Sequence, residues 1–378
     1  MMRHGAHRGA QRGLSLIELM LALVIGLVLI GSMVTVFSGS KRSSTVNTAL
    51  TELQESARFA LDSIVRDIRL AGFQGCADGA AATVRATNAP TTDFHASALT
   101  ASRIESDGSW TPAPPTGFTP PAQGQPGAPV PGTHALSIQF GSPETWRIDR
   151  MPDKFAPVVL ADGVLAADIG IIDGDVALVS DCQRADIFTV SGVSGSSIAH
   201  DGAVNRFDGA NDGRLQAAYG EPAGSDRLRA RIMRFEANLY YIGDTARTNG
   251  AGDPLHSLYR LSLPYLSPPP AGTPRAAIEM VEGVGNLQVL LGMDEPSFAG
   301  HRAYVRPGEA GPPGGTVQQV ELGLLVQSFD PVTDQVDTRS YSLAGRSLAP
   351  GGTTGETTYR TDRRMRIAFN SSIDIRNR

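Results

Sequence analysis

Three hydrophobic patterns follow one another along the chain. From Leu14 to Phe37 the sequence is apolar on every face, and its 24 residues contain one formal charge, Glu18. A helix of that length reaches about 36 Å, enough to cross a hydrocarbon core of about 30 Å with some tilt. The pattern then turns amphipathic. Val46, Leu50, Leu53, Ala57, Leu61, Ile64 and Ile68 recur at steps of four and three, one stripe on a helix. Arg58, Asp62 and Arg66 form an i,i+4 ladder on another face. No Pro or Gly interrupts from Ser40 to Ala71, and Gly72 supplies a C-terminal stop. One helix over residues 14–71 is predicted, its first half transmembrane and its second half offering an apolar stripe to a sheet. A free coiled-coil segment is disfavoured, because the stripe is short and a β-rich region follows it.

Past Gly72 the period falls to two. Leu136, Ile138 and Phe140 alternate, as do Met233, Phe235, Ala237, Leu239 and Tyr241, which predicts a half-buried strand. Leu255–Leu263, Leu287–Leu291, Val320–Val326 and Met365–Ile375 continue the series. Val158–Ile172 is predicted to hold one or two strands, and the runs 176–179 and 187–190 to be neighbours with Cys182 between them. Residues 112–132 hold eight prolines and four glycines and read as an extended, mobile loop, more plausibly than as a proline-rich ligand. No repeat of fixed period is present. The fold class is α+β: a long N-terminal helix packed on an antiparallel β-sheet, with large loop insertions.

Composition changes this picture little. Forty-two Gly and 25 Pro among 378 residues fit a loop-rich body. A net charge of −5 gives no reason to expect a nucleic-acid partner. A local basic patch stays open, with Arg227, Arg229, Arg231 and Arg234 as its best candidates, although Arg229 and Arg231 also fit the solvated face of a strand. Catalytic motifs are lacking: no Walker A loop, HExxH, dinucleotide turn or GxSxG occurs. No catalytic, cofactor or metal site is assigned, and the chain is not read as an enzyme. The seven histidines are scattered and read as surface or loop residues. Asp208–Gly213 has the look of a Ca²⁺ loop, but Ala210 and Tyr219 occupy ligand positions, so a polar turn is the better reading.

The junction before the apolar run carries the sharpest signal. Arg3, Arg8 and Arg12 precede Gly13-Leu14-Ser15-Leu16-Ile17-Glu18. A carboxylate inside an apolar span is unfavourable, about 3 kcal/mol at a helix centre, so Glu18 calls for a partner. A generic single-pass anchor explains neither Glu18 nor Gly13. The stretch resembles the prepilin leader and N-terminal helix of type IV pilins and type II secretion pseudopilins, with Leu where the commonest form has Phe after the Gly. Asp67–Cys76, Gly174–Cys182 and Val281–Val289 resemble segments of PilW-type minor pilins.

The resemblance implies a pilin-like fold and a protein whose work is assembly. Prepilin peptidase is expected to cut between Gly13 and Leu14 and to methylate the new Leu14 amine, and Glu18 to pair with a mature N-terminal amine. The implied organisation is a leader over 1–13, a transmembrane and polymerisation helix over 14–39, an amphipathic outer helix over 40–71 and a β-rich body over 72–378. The leader is expected on the cytoplasmic side of the inner membrane and the body on the periplasmic side before incorporation in a pilus. Implied partners are the peptidase, other minor pilins, the major pilin, the inner-membrane assembly platform and membrane lipid. Cys76 and Cys182 are candidate disulfide partners in an oxidising compartment, two unpaired thiols being the alternative. Two other functions stay open: a minor pseudopilin of a type II secretion system, and a tip adhesin or DNA-binding module on a pilin stem.

Overall fold

The computed structural model describes residues 15–77, 82–86, 94–114, 118, 120–207, 212–220, 230–262, 277–298 and 300–377. Two compact units divide it, residues 1–51 and 52–378. One helix, Leu16–Leu70, supplies the described part of the first unit and the opening of the second. It ends where the sequence places the stop. Gly72 takes φ 75°, a left-handed conformation that glycine adopts without steric cost. The turn that follows docks on the strand His134–Gly141: the Gly72 amide donates to the Gln139 carbonyl at 3.0 Å, and the Gly141 amide to the Phe73 carbonyl at 2.7 Å. Asn377 closes the same end by donating from Nδ2 to the Arg69 carbonyl at 3.0 Å, which satisfies one of the last-turn acceptors.

The second unit is built on three sheets. The largest has 14 strands and is organised around Arg231–Thr248, 18 residues long. This central strand pairs antiparallel with His134–Gly141, Val176–Asp181 and Pro254–Ser262, among others. A four-stranded antiparallel sheet runs Arg302–Val305, Val284–Asp294, Val317–Gln327, Arg366–Asp374. Tyr341–Leu343, Arg346–Gly351 and Thr358–Arg360 make the third. Two strand pairs are parallel, Ala82–Val84 with Arg184–Thr189 and Arg346–Gly351 with Thr358–Arg360.

Leu53, Ala57, Ala60, Ile64, Ile68 and Ala71 of the helix share one apolar core with Leu136, Ile138, Phe140, Tyr240 and Ile242 of the large sheet and Leu287, Val289, Leu322 and Leu324 of the four-stranded one. Each large aliphatic side chain so buried contributes about 1.5–3 kcal/mol. A second core, with Ile148, Val158, Phe188, Ile198, Leu215 and Ile232, lies among residues 148–232.

The 158–172 run holds one strand, Val158–Leu160, within the one or two expected, and turns follow it. Three expectations are corrected. The strand at 233–241 is covered on both faces: Ala237, Leu239 and Tyr241 join Trp110 and Phe118 in an aromatic cluster, while Tyr240 is buried in the helix-side core. The segment 112–132 is packed at Phe118 and at 127–130, while residues 122–126 are exposed. Phe118 and Val130 are buried, Ala128–Pro129 pairs with Gly243–Asp244, and the Gly127 carbonyl accepts from Tyr241 Oη at 3.0 Å. Arg58, Asp62 and Arg66 close no ion pair with one another among the described residues.

Candidate assembly site

Glu18 stands in the first turn of the helix, and its Oε2 accepts the Ser15 amide at 3.2 Å. That bond satisfies one of the orphan donors of a helix start and leaves most of the carboxylate's acceptor capacity outward. Gly13 and Leu14, the expected processing pair, lie outside the described residues. Every large apolar side chain from Leu16 to Phe37 is exposed within its unit, Leu16 at 77% and Phe37 at 70%. The helix is long and apolar enough to cross a membrane. Its few hydroxyls are turned inward on the backbone: Ser32 Oγ donates to the Val28 carbonyl at 2.9 Å and Thr35 Oγ1 to the Ser32 carbonyl at 2.8 Å. No hydroxyl at those positions is left unmet in an apolar medium.

In the second unit the helix buries a charge. Asp67 is 8% exposed, and its Oδ2 accepts from Asn238 Nδ2 and Tyr240 Oη, both at 2.7 Å. Ser262 Oγ extends the network by donating to Asn238 Oδ1 at 2.8 Å. Burial, then the Asp67 charge, pushes the Tyr240 hydroxyl far above its ordinary range, so it stays a donor. Sequence reading missed this cluster, although a signal was present: Asp67 falls between Ile64 and Ala71 on the face that the stripe turns inward. Beside the network a cleft of about 470 Å³ runs between helix residues Glu55–Asp67 and the cross-strand pair Tyr240 and Arg260.

Cys76 and Cys182 are joined, with Cα atoms 4.5 Å apart. The bond ties the turn after the helix to the tip of the hairpin formed by Val176–Asp181 and Arg184–Thr189.

Other sequence candidates do not gather. Arg227 and Arg229 lie outside the described residues. Arg231 Nη1 donates to Thr145 Oγ1 at 3.2 Å, and Arg234 pairs with Glu236 at 3.6 Å. Of the Ca²⁺-like loop, residues 208–211 lie outside the described part, and Asp212 faces Arg214 at 3.6 Å. Among the described residues no group of three or more His, Cys, Asp or Glu side chains converges. Three of the histidines read as surface or loop residues are buried: His134 and His256 in strands, and His200 outside any strand. His134 Nδ1 accepts the Val289 amide at 2.9 Å, so the imidazole joins the two main sheets.

Residues 8–34 match the family model of the prokaryotic N-terminal methylation motif, and residues 239–377 match that of type IV pilus-assembly protein W. This chain is similar to PilW-type minor pilins over those residues. Its PilW match opens within the central strand and takes in Val281–Val289, one of the stretches that carried the resemblance. Asp67–Cys76 and Gly174–Cys182 fall outside both matches, as does the whole of the second core. No curated protein and no solved structure matches the chain.

Proposed function

We propose that this minor pilin is cut by prepilin peptidase between Gly13 and Leu14, methylated on Leu14, and held in the inner membrane by residues 14–39. The N-terminus faces the cytoplasm and the body, residues 72–378, the periplasm. The assembly platform then extracts the subunit, and together with other minor pilins it primes a fibre of major pilin at or near the tip.

The observation that carries this reading is the exposed apolar helix with a single acid, Glu18, in its first turn. Leaving lipid for a bundle of sister helices exchanges one apolar medium for another, so packing and polar contacts decide the register. Glu18 paired with a mature amine would fix that register. A buried ion pair specifies more than it stabilises. The size of the body favours a rare, terminal position over tiling along a thin fibre. The description of the matched family supports a pilus over a secretion system.

Replacing Glu18 by Ala tests the role. Leader removal is expected to proceed, while the amount of subunit recovered in sheared pili falls. Normal incorporation of Glu18→Ala would contradict the proposal.

A further inference from the structure

The stretch that joins the apolar span to the amphipathic half of the helix carries two adjacent cations and no acid. Lys41 and Arg42 are exposed, as is every residue from Ser38 to Thr45. The nearest carboxylates along the helix are Glu18 and Glu52, so the helix itself does not balance this charge.

Position along the axis selects what meets it. At roughly 1.5 Å per residue, Lys41 and Arg42 stand about 6–8 Å beyond Phe37, which ends the apolar run, and Glu52 about 22 Å beyond it. The polar layer of one leaflet is about 5–8 Å deep. With the span in lipid, both cations fall at the outer edge of that layer and the first acid well outside it. Helical side chains lean toward the N-terminus, which brings both head groups back among the phosphates while their methylene stems cover apolar surface. Two cations on the exported flank also oppose the orientation set by Arg3, Arg8 and Arg12, because basic residues favour the cytoplasmic side. A neck that already holds Ser38, Ser40, Ser43 and Ser44 does not need them for solubility. With residues 1–13 removed, Lys41 and Arg42 are the only basic side chains before Arg58.

We propose that Lys41 and Arg42 form a collar that binds anionic phospholipid headgroups of the periplasmic leaflet, each cation pairing with a lipid phosphate. The collar fixes the depth of the mature subunit after the leader is gone, and extraction breaks it. The inference rests on the membrane residence proposed above.

The test uses the full mature chain, purified from its own host and reconstituted in vesicles of phosphatidylcholine and phosphatidylglycerol. Cys76 and Cys182 are joined, so an added Met33→Cys, at an exposed position of the span, is the single thiol for a fluorophore. Brominated phosphatidylglycerol and brominated phosphatidylcholine then compete to quench it. One interfacial cation favours an anionic lipid about fivefold, which neighbouring lipids dilute to an expected preference of about threefold or more. Lys41→Gln with Arg42→Gln is expected to bring the ratio to about one, and Lys41→Arg with Arg42→Lys to keep it. Both positions are exposed, and an intact Cys76–Cys182 bond checks the fold. Equal quenching by the two lipids in wild type, which needs no collar variant, overturns the collar alone, and so does a preference that survives in the double Gln variant. Inorganic phosphate that abolishes the preference where chloride of equal ionic strength leaves it assigns the site to a free anion and also overturns it. Mature wild-type chain found outside both the inner-membrane and the pilus fractions of the host overturns the membrane residence beneath the collar.

Discussion

At the scale of single residues, the body depends on buried polar groups placed where apolar ones are expected. Asp67 interrupts the apolar face of the helix and is tolerated because Asn238 and Tyr240 meet it. His134 is the clearest titrating case. Burial, and then the charges of Arg346, Arg306 and Arg103, hold its pKa down to about 3, so the ring is neutral in the fold. His256 is lowered in the same way, to about 4. The unfolded chain takes up protons on these imidazoles below pH ~6.5, whereas the folded chain resists them. The contribution of His134 is therefore fully present above pH ~6.5 and is lost as pH falls toward 3. At pH 5 the loss is about 2 kcal/mol for His134 alone. Denaturant midpoints measured between pH 7.5 and 4.5 are expected to fall, and His134→Gln, which can still accept the Val289 amide, is expected to flatten that slope. An unchanged slope in the variant would show that another group sets the acid sensitivity.

At the scale of elements, the sequence was legible where one face of an element is buried and the other is not. The helix ends at Leu70 with Gly72 as its stop. Val317–Gln327 was visible from its alternation although residues 322–327 are buried on both faces. Where both faces are covered, alternation can lose its meaning. The central strand is the example: it runs to Thr248, although its visible period stops near Tyr241. Packed irregular chain was equally hidden, because eight prolines between 112 and 132 signal missing amide donors but say nothing about Phe118 joining an aromatic cluster. Gly13 and Glu18 stood out in the sequence because a glycine and a lone acid fall within six residues at the start of an apolar run; Gly13 itself lies outside the described residues. The hairpin Val176–Thr189 belongs to the part outside the PilW match, and Cys76–Cys182 is its covalent tie to the helix exit. Closing a loop with a sequence separation of 106 residues is worth about 4–5 kcal/mol in the chain-entropy model. Cys76→Ser with Cys182→Ser is expected to lower unfolding stability by about that amount, read as a shift in denaturant midpoint, with the wild type under reducing conditions shifting alike. A midpoint that does not move would mean that packing alone holds the hairpin.

At the scale of the whole molecule, one helix carries two surface patterns in succession. From Leu16 to Phe37 its large apolar side chains are exposed on every face within their unit, as the proposed passage from lipid to sister helices requires. Its second part is bound into a core shared by two sheets. The PilW match covers the C-terminal strands, while the second core and the disulfide-tied hairpin fall outside it. The proposed assembly role requires that maturation remove the basic leader and retain the apolar helix. Intact-mass and N-terminal fragment analysis of the protein purified from sheared pili addresses this most directly. The account predicts a chain that begins at Leu14, carries one methyl group on its amine and includes Glu18. A chain that begins at Met1, or beyond Phe37, would contradict it.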